Sequence, residues 1–323
     1  MRLFKLSLRV AALALAGFGA VALTLIFMLS RPLPVPRTLD SIADGALQID
    51  RSQMPAPVRF QARDGTELAY RIYPAPGARV AILVHGSSAD GRAMAGLAAD
   101  LAAAGVTAVT PDMRGHGGSG ARGDIGYIGQ LEDDLEDLTA HLRKERPQAR
   151  FQLAGHSSGG GFVLRAAGGR LGEAFERYVL AAPFLGYFSP TTRNDPKAQW
   201  AYPSLARIIA QRALARMGLD WAQSQPVIGF AVRPGAQTLL TSRYSYRLLV
   251  NFGPPDDHKT AFQPVKRPMT IFVGDRDELF DSAQYESAAQ GKADVRILKG
   301  RDHMSVYVEQ GARAEIVAAL AKE

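Results

Sequence analysis

The chain has 323 residues, of which 47% are hydrophobic and 21% charged, so it carries enough apolar material for a sizeable folded core. It contains no cysteine, which excludes disulfides, thiolate nucleophiles and cysteine-based metal sites. The net charge is +7. Residues 184–267 contain 11 Lys/Arg and 4 Asp/Glu, so the net positive charge of this one segment equals that of the whole chain. No basic run is interleaved with aromatic residues, so no nucleic-acid partner is expected.

The N-terminal region has the composition of a membrane anchor. Residues 10–30 are an uncharged run rich in Ala and Leu. As a helix this run would be about 31 Å long, close to the roughly 30 Å hydrocarbon core of a bilayer. Arg2, Lys5 and Arg9 precede it, which favours an inside N-terminus and an exported body. We therefore expect residues 1–30 to be a single-pass anchor, with the rest of the chain in the periplasm if the source is bacterial. The alternative is a cleaved signal peptide and a secreted protein.

Two further regions follow from composition and periodicity. Residues 31–57 contain five prolines and are predicted to form an extended, Pro-rich tether. The folded domain is predicted to cover residues 58–323, beginning with a β-hairpin around the turn pair Asp64-Gly65. Apolar runs of strand length then alternate with helical patterns: Val80–Val84, Val106–Thr110, Phe151–Ala154, Tyr178–Ala182, Thr270–Val273 and Val295–Leu298. This α/β alternation predicts a mostly parallel sheet with helices on both faces. It is interrupted at about residues 184–268, which are predicted to be an inserted cap.

The segment Gly155-His156-Ser157-Ser158-Gly159 fits the pattern G-x-S-x-G between an apolar strand and an apolar helix. A sharp strand-to-helix turn of this kind exposes its central serine near the positive end of the helix. Glycines on either side let the strand and the helix approach closely. Ser157 is therefore a candidate nucleophile, and the alternative is an ordinary polar serine in a Gly-rich turn.

A serine nucleophile needs a base and an acid that orients the base. In an open α/β sheet such groups gather at the carboxyl ends of strands. Four acidic residues follow the strand at 270–273: Asp275, Asp277, Glu278 and Asp281. We prefer Asp277, which lies in the short turn just beyond the strand. His303 follows the last strand and completes the chain order Ser, Asp, His that this fold requires.

The negative charge that develops on a substrate oxygen needs backbone N–H donors. Ser158, directly after the candidate nucleophile, offers one N–H group, and Ser87, in the loop after Val84, offers another. His85 and His156 are expected to be structural. No residues have metal-ligand spacing and no Gly-rich loop fits a phosphate, so no cofactor and no metal are expected.

Together these segments resemble the α/β-hydrolase superfamily and, within it, the monoacylglycerol lipase / lysophospholipase / serine aminopeptidase-like group. The matching segments are His85-Gly86, residues 112–119, residues 155–160, residues 274–277 and Asp302-His303. The resemblance implies Ser157 as nucleophile, Asp277 as orienting acid and His303 as base. It also implies Ser87 and Ser158 as the oxyanion donors.

The expected function is a serine hydrolase that cleaves carboxylic esters through an acyl-enzyme. Lipid-like acyl esters such as monoacylglycerol or lysophospholipid are favoured substrates, because an N-terminal anchor in the lipid bilayer places the site near lipid. One alternative is a serine aminopeptidase-like peptidase, which would need an acidic group in the cap. The candidates for that group are Asp195, Asp220, Asp256 and Asp257. The other alternative is a non-catalytic envelope interaction protein on the same fold.

Overall fold

A computed structural model describes residues 2–236 and 240–322, with side chains from residue 13 onward. Its helices are α1 (Arg2–Ser30), α2 (Asp40–Leu47), α3 (Ala95–Ala103), α4 (Gln130–Glu145), α5 (Ser158–Gly168), α6 (Leu205–Arg216), α7 (Tyr246–Asn251), α8 (Tyr285–Ala289), α9 (Ser305–Val308) and α10 (Gln310–Ala321). Its strands are β1 (Val58–Gln61), β2 (Glu67–Tyr73), β3 (Arg79–Val84), β4 (Thr107–Pro111), β5 (Arg150–His156), β6 (Tyr178–Ala181), β7 (Ala201–Pro203), β8 (Pro226–Phe230), β9 (Arg243–Ser245), β10 (Met269–Gly274) and β11 (Asp294–Leu298). Two 3₁₀ turns, Gly91–Met94 and Ser282–Gln284, precede α3 and α8.

The central sheet has eight strands among the described residues, in the order β1-β2-β4-β3-β5-β6-β10-β11. Strands β4, β3, β5, β6, β10 and β11 pair in parallel. Strand β1 is antiparallel to β2, and β2 is antiparallel to β4, so the predicted hairpin forms one edge of the sheet. The predicted α/β-hydrolase architecture, a mostly parallel sheet surrounded by helices, is confirmed.

Burial explains why the inner strands are continuous apolar runs. Val80, Ile82 and Val84 of β3 are fully buried, and so are the intervening Ala81 and Leu83, which point to the opposite face. A parallel strand that is covered by helices on both faces has no solvent-facing side to carry polar residues. Since the strands are parallel, the loops after β3, β5, β10 and β11 meet at one edge of the sheet.

The interruption at residues 184–268 contains α6, α7 and a small antiparallel sheet in the order β7-β8-β9. The sequence pattern did not predict this sheet. Helix α6 leaves Ile209 exposed, and Met217, directly after the helix, is exposed as well. The buried residues of α6 are Ala210, Gln211 and Leu214, and the Gln211 amide nitrogen donates a 2.5 Å hydrogen bond to the Ala222 carbonyl. This bond satisfies the amide nitrogen of the buried side chain, while its Oε1 has no partner among the described residues.

Helix α1 is long and apolar enough to cross a membrane: its stretch Leu13–Ser30 has a mean hydropathy of 2.2 and is unburied. The segment 31–57 differs from the extended tether that its prolines predicted. It contains α2, and Ile42 and Ile49 are buried in the main hydrophobic core. Ile42, Ala46 and Ile49 recur at helical spacing, which gives the segment an apolar face that packs on the domain.

Candidate active site

Ser157 lies at the turn between β5 and α5, with backbone angles φ 54° and ψ −121°. A non-glycine residue reaches this region only when its surroundings impose it, at a cost of about 1–3 kcal/mol. The flanking glycines have no room for a side chain. A Cβ on Gly155 would lie 2.4 Å from the Gly159 carbonyl oxygen, and one on Gly159 would lie 2.3 Å from that of His85. The tight packing therefore fixes the strained turn.

Hydrogen bonds of the main chain hold Ser157 on both sides. Its N–H donates to the Ala181 carbonyl, and its carbonyl accepts from the Phe184 N–H, each at 3.0 Å. Although Ser157 stands at the N-cap of α5, its side chain makes no capping hydrogen bond. A serine at this position usually caps the helix. Here the hydroxyl is not used in that way, which argues against an ordinary structural serine.

Asp277 and His303 are brought together by the ends of β10 and β11. His303 Nδ1 lies 2.9 Å from Asp277 Oδ2, and both side chains are buried. The other carboxylate oxygen, Oδ1, accepts the N–H groups of Leu279 and Phe280, each at 2.9 Å. With both oxygens engaged, the carboxylate is fixed and the imidazole presents Nε2 on its far side. This is the arrangement that orients a histidine base.

The other three acidic residues of the loop have different partners. Asp275 accepts from the Gly300 N–H, and Asp281 caps the 3₁₀ turn before α8 and pairs with Arg193. Glu278 Oε2 accepts the backbone N–H of His303 at 3.1 Å. Of the four candidates, Asp277 is the one whose carboxylate bonds the His303 ring.

Burial lowers the pKa of His303, but the charge and the hydrogen bond of Asp277, with Glu278 and Asp302 nearby, outweigh it and raise the pKa above its ordinary value of 6.5. His156 holds the same loop, because its Nε2 bonds the His303 carbonyl at 3.1 Å. Burial, together with the neighbouring His303, lowers the pKa of His156 well below 6.5, so His156 is neutral and donates this bond.

The loop after β3 carries the other predicted residues of the site. His85 Nε2 accepts the Met113 N–H at 3.2 Å, so its Nδ1 carries the proton and donates to the Gly86 carbonyl at 2.8 Å. In the described part of the chain, neither the N–H of Ser87 nor that of Ser158 has a hydrogen-bond partner. Two unpaired N–H groups beside the same serine are what an oxyanion pocket requires.

The cap braces this loop through two residues that the sequence did not single out. Trp200 Nε1 donates to Ser87 Oγ at 2.9 Å. The Tyr244 hydroxyl accepts the Ser88 N–H at 2.6 Å and donates to His116 Nε2 at 2.6 Å. The sequence offered no local pattern for these roles, because each depends on a contact across more than a hundred residues.

A cavity of about 430 Å³ opens at this edge of the sheet, within the usual size range of small-molecule sites. Gly86, Ser87, Ser157 and His303 line it, so the cavity joins the predicted nucleophile, base and oxyanion loop. Its remaining lining is mostly apolar. Ser158 is not part of this lining. Its predicted contribution is the backbone N–H at the first position of α5.

Residues before β1 also line the cavity, and the sequence analysis missed them. They are Ile42, Ala43, Ala46, Leu47, Ile49, Arg51 and Met54. The helical spacing of Ile42, Ala46 and Ile49 is the pattern that could have revealed them, but the surrounding prolines favoured an extended interpretation.

The sheet order, the strained turn at Ser157 and the buried pair of Asp277 and His303 define the class of the protein as an α/β-hydrolase. Residues 75–305 match the model of the serine aminopeptidase S33 family. The chain belongs to this family of hydrolases.

Solved structures with the same fold include monoacylglycerol lipases. The enzyme from Paleococcus ferrophilus is 18% identical, with a TM-score of 0.58 over 79% of this chain and 98% of that one. A soluble variant of the Saccharomyces cerevisiae monoglyceride lipase, in complex with a substrate analog, is 15% identical, with a TM-score of 0.63 over 84% and 94%. A bacterial membrane phospholipase A is 18% identical, with a TM-score of 0.56 over 99% and 98%. At these identities the likeness establishes the fold.

Proposed function

We propose that the protein is a membrane-anchored serine hydrolase that cleaves carboxylic esters with apolar acyl chains. The observation that carries the proposal is that Ser157 and the His303 paired with Asp277 line one mostly apolar cavity. His303 takes the proton of Ser157 Oγ while that oxygen attacks the ester carbonyl. The N–H groups of Ser87 and Ser158 bind the resulting oxyanion.

The same histidine completes the reaction. Protonated His303 gives its proton to the leaving alcohol, and the ester C–O bond breaks to leave an acyl group on Ser157. Water then loses a proton to His303 and attacks the acyl carbon, and His303 returns a proton to Ser157 as the acid departs. Asp277 orients the ring and stabilises the imidazolium that forms.

The cavity supports an ester over a peptide with a free amino terminus. Such a peptide would need an unpaired carboxylate to hold its ammonium group. Among the described residues that line the cavity, the carboxylate is Asp90, which is buried and holds Arg92. The cap residues Asp195, Asp220, Asp256 and Asp257 do not line it. A non-catalytic envelope interaction protein would not explain the strained backbone of Ser157 or the unpaired N–H groups of Ser87 and Ser158.

The exposed surface of α1 supports a membrane location. Leu13, Leu15, Phe18, Leu23, Ile26 and Phe27 are each at least 60% exposed. A continuous apolar helix surface of this length needs a bilayer to cover it. A signal peptide remains the alternative to the anchor, and export of the domain follows from the basic residues before the run.

The test is hydrolysis of p-nitrophenyl esters of increasing acyl length, and of monoacylglycerol, by the full-length protein in detergent micelles. Ser157→Ala is measured beside it, and an alkyl fluorophosphonate reports covalent reaction at Ser157 by mass spectrometry. We expect hydrolysis and labelling in the wild type and neither in the variant. If the wild type is neither labelled nor active on esters or aminoacyl amides, the proposal is wrong; cleavage of the amides alone would favour the peptidase.

A further inference from the structure

The segment between the anchor and the first strand forms one wall of the active-site cavity. Ile42, Ala46, Ile49 and Met54 all line it, together with Ser157 and His303. The side chains of Ile42 and Ile49 are buried, at 8% and 7% exposure. Apart from Arg51, whose guanidinium donates to the carbonyls of Ala46 and Ile49, this wall is apolar. It belongs to the folded domain, although it lies outside the residues that match the family model.

The wall is held against the catalytic side of the cavity. Gly45 packs so closely on Met304 that a Cβ on Gly45 would lie 2.5 Å from the Cβ of Met304. Ser41 Oγ donates to Glu278 Oε1 at 2.6 Å, while Glu278 Oε2 accepts the N–H of His303. One carboxylate thus connects the start of α2 to the backbone of His303.

A second set of contacts holds the same helix on the cap side. Arg233 pairs with Asp40 at 3.0 Å and with Asp44 at 2.7 Å. Arg233 itself lines the cavity, next to Val232 of the cap. Helix α2 therefore reaches from the His303 loop to the cap, and its apolar face is turned toward the space between them.

We propose that residues 40–54 are part of the acyl-binding site and that Ala46 helps to set the longest acyl chain the enzyme accepts. This inference rests on the proposed ester hydrolysis and adds the surface that binds the acyl group. The occupant that fits is a linear hydrocarbon chain, because the residues that α2 contributes carry methyl and methylene groups and no uncommitted polar atom. Residues 40–54 can contact the acyl chain only while they are packed on the domain beside the cavity.

The first test is Ala46→Phe in the full-length protein in detergent micelles. Ala46 is half-buried against the core and lines the cavity, so a phenyl ring fills space that we assign to the acyl chain. Each methylene displaced from an apolar contact lowers kcat/KM about fourfold. We expect the ratio of kcat/KM for dodecanoyl over butanoyl esters to fall by about tenfold or more, with butanoyl hydrolysis retained.

Gln48→Phe is the matched control, because Gln48 follows α2, is exposed and does not line the cavity. It adds the same ring to the outer side of the segment and should keep the wild-type ratio. If Ala46→Phe also keeps the wild-type ratio while it remains active, the inference is wrong and the proposed function stands. If the fluorophosphonate does not label the wild type at all, the proposed function itself is wrong.

The second test uses the wild type and does not depend on how a variant folds. A dodecyl fluorophosphonate with a diazirine at its chain end is reacted with Ser157, which displaces fluoride from phosphorus, and the adduct is then irradiated. We expect the cross-link in the tryptic peptide that spans residues 38–51. A cross-link confined to residues of the cap or of the β3 loop would overturn the inference.

Discussion

The Tyr244 hydroxyl lies 2.6 Å from the backbone nitrogen of Ser88, so a residue of the cap holds the loop that carries the predicted oxyanion donor Ser87. The same hydroxyl bonds His116, whose ring nitrogen Nδ1 faces the carbonyls of Met113 and Arg114. All these groups are buried. The cap is therefore part of the rigid support of the site as well as its cover.

Tyr244→Phe should destabilise the protein and slow the reaction. The substitution leaves the buried Ser88 N–H and His116 Nε2 without partners, which costs about 1–3 kcal/mol. We expect lower stability in denaturant titration and a lower kcat, because the loop that carries Ser87 is less well held. Tyr187→Phe, at an exposed position of the same region, is the control and should change neither quantity. Unchanged stability in Tyr244→Phe would mean that water replaces the hydroxyl.

Asp277→Asn should lower kcat by about 10⁴-fold, because an amide cannot hold the imidazole in the required tautomer or stabilise its positive charge. Its Oδ1 can still accept the Leu279 and Phe280 N–H groups, so the loop should stay folded. Asp275→Asn is the matched control, since Asp275 bonds the backbone of Gly300 and not His303. Single-turnover rates on a butanoyl ester measure both variants. The opposite pattern would assign the acid to Asp275.

The acid limb of kcat/KM should lie above pH 6.5, the ordinary pKa of histidine, because the pKa of His303 is raised and only its neutral form accepts the Ser157 proton. Glu278 contributes to this rise, so Glu278→Gln should move the limb to lower pH. Glu286→Gln, on the exposed side of α8, should leave the limb in place. A pH–rate profile of the free enzyme measures each. If the acid limb of Glu278→Gln lies at higher pH than that of the wild type, Glu278 does not raise the pKa of His303 and the prediction is wrong.

Ser157→Gly should be more stable than Ser157→Ala by about 1–3 kcal/mol, because glycine adopts φ 54° without the strain that a Cβ causes. Both variants should be inactive. At the neighbouring Ser158, which has helical geometry, the order should reverse by about 0.5–1 kcal/mol in favour of alanine. Thermal unfolding of the four variants measures the difference. Equal stabilities at position 157 would mean that the turn relaxes when the side chain changes.

Local patterns in the sequence were sufficient to predict the fold, and they proposed the principal residues of the candidate site. Strand runs such as Val80–Val84 are continuous because both faces are buried, and the turn at Ser157 needs glycines that stand beside it in the chain. Chain order then selected His303. The acid was left among four residues, and only the contact with the imidazole distinguishes Asp277. Its role in catalysis, like that of Ser157, stays a prediction.

The parts that the sequence did not predict depend on contacts between distant segments. Tyr244 reaches Ser88 and Trp200 reaches Ser87 only after the cap has folded over the sheet. Helix α2 has a weak pattern of its own and is stabilised by burial of Ile42 and Ile49 on the domain. Composition describes only the average polarity of a segment. Whether the segment packs on the domain depends on the few apolar side chains that become buried there.

The burial of Ile42 and Ile49 decides where the protein can be shortened. A soluble form that starts at residue 58 would lack two core side chains and would open the cavity on one side to water. A form that starts before Asp40 would keep both, together with the pairing of Arg233 and Asp44. A truncation that ends before α2 therefore removes only the attachment to the membrane. A truncation that includes α2 also removes one wall of the cavity and so changes which acyl chains can bind.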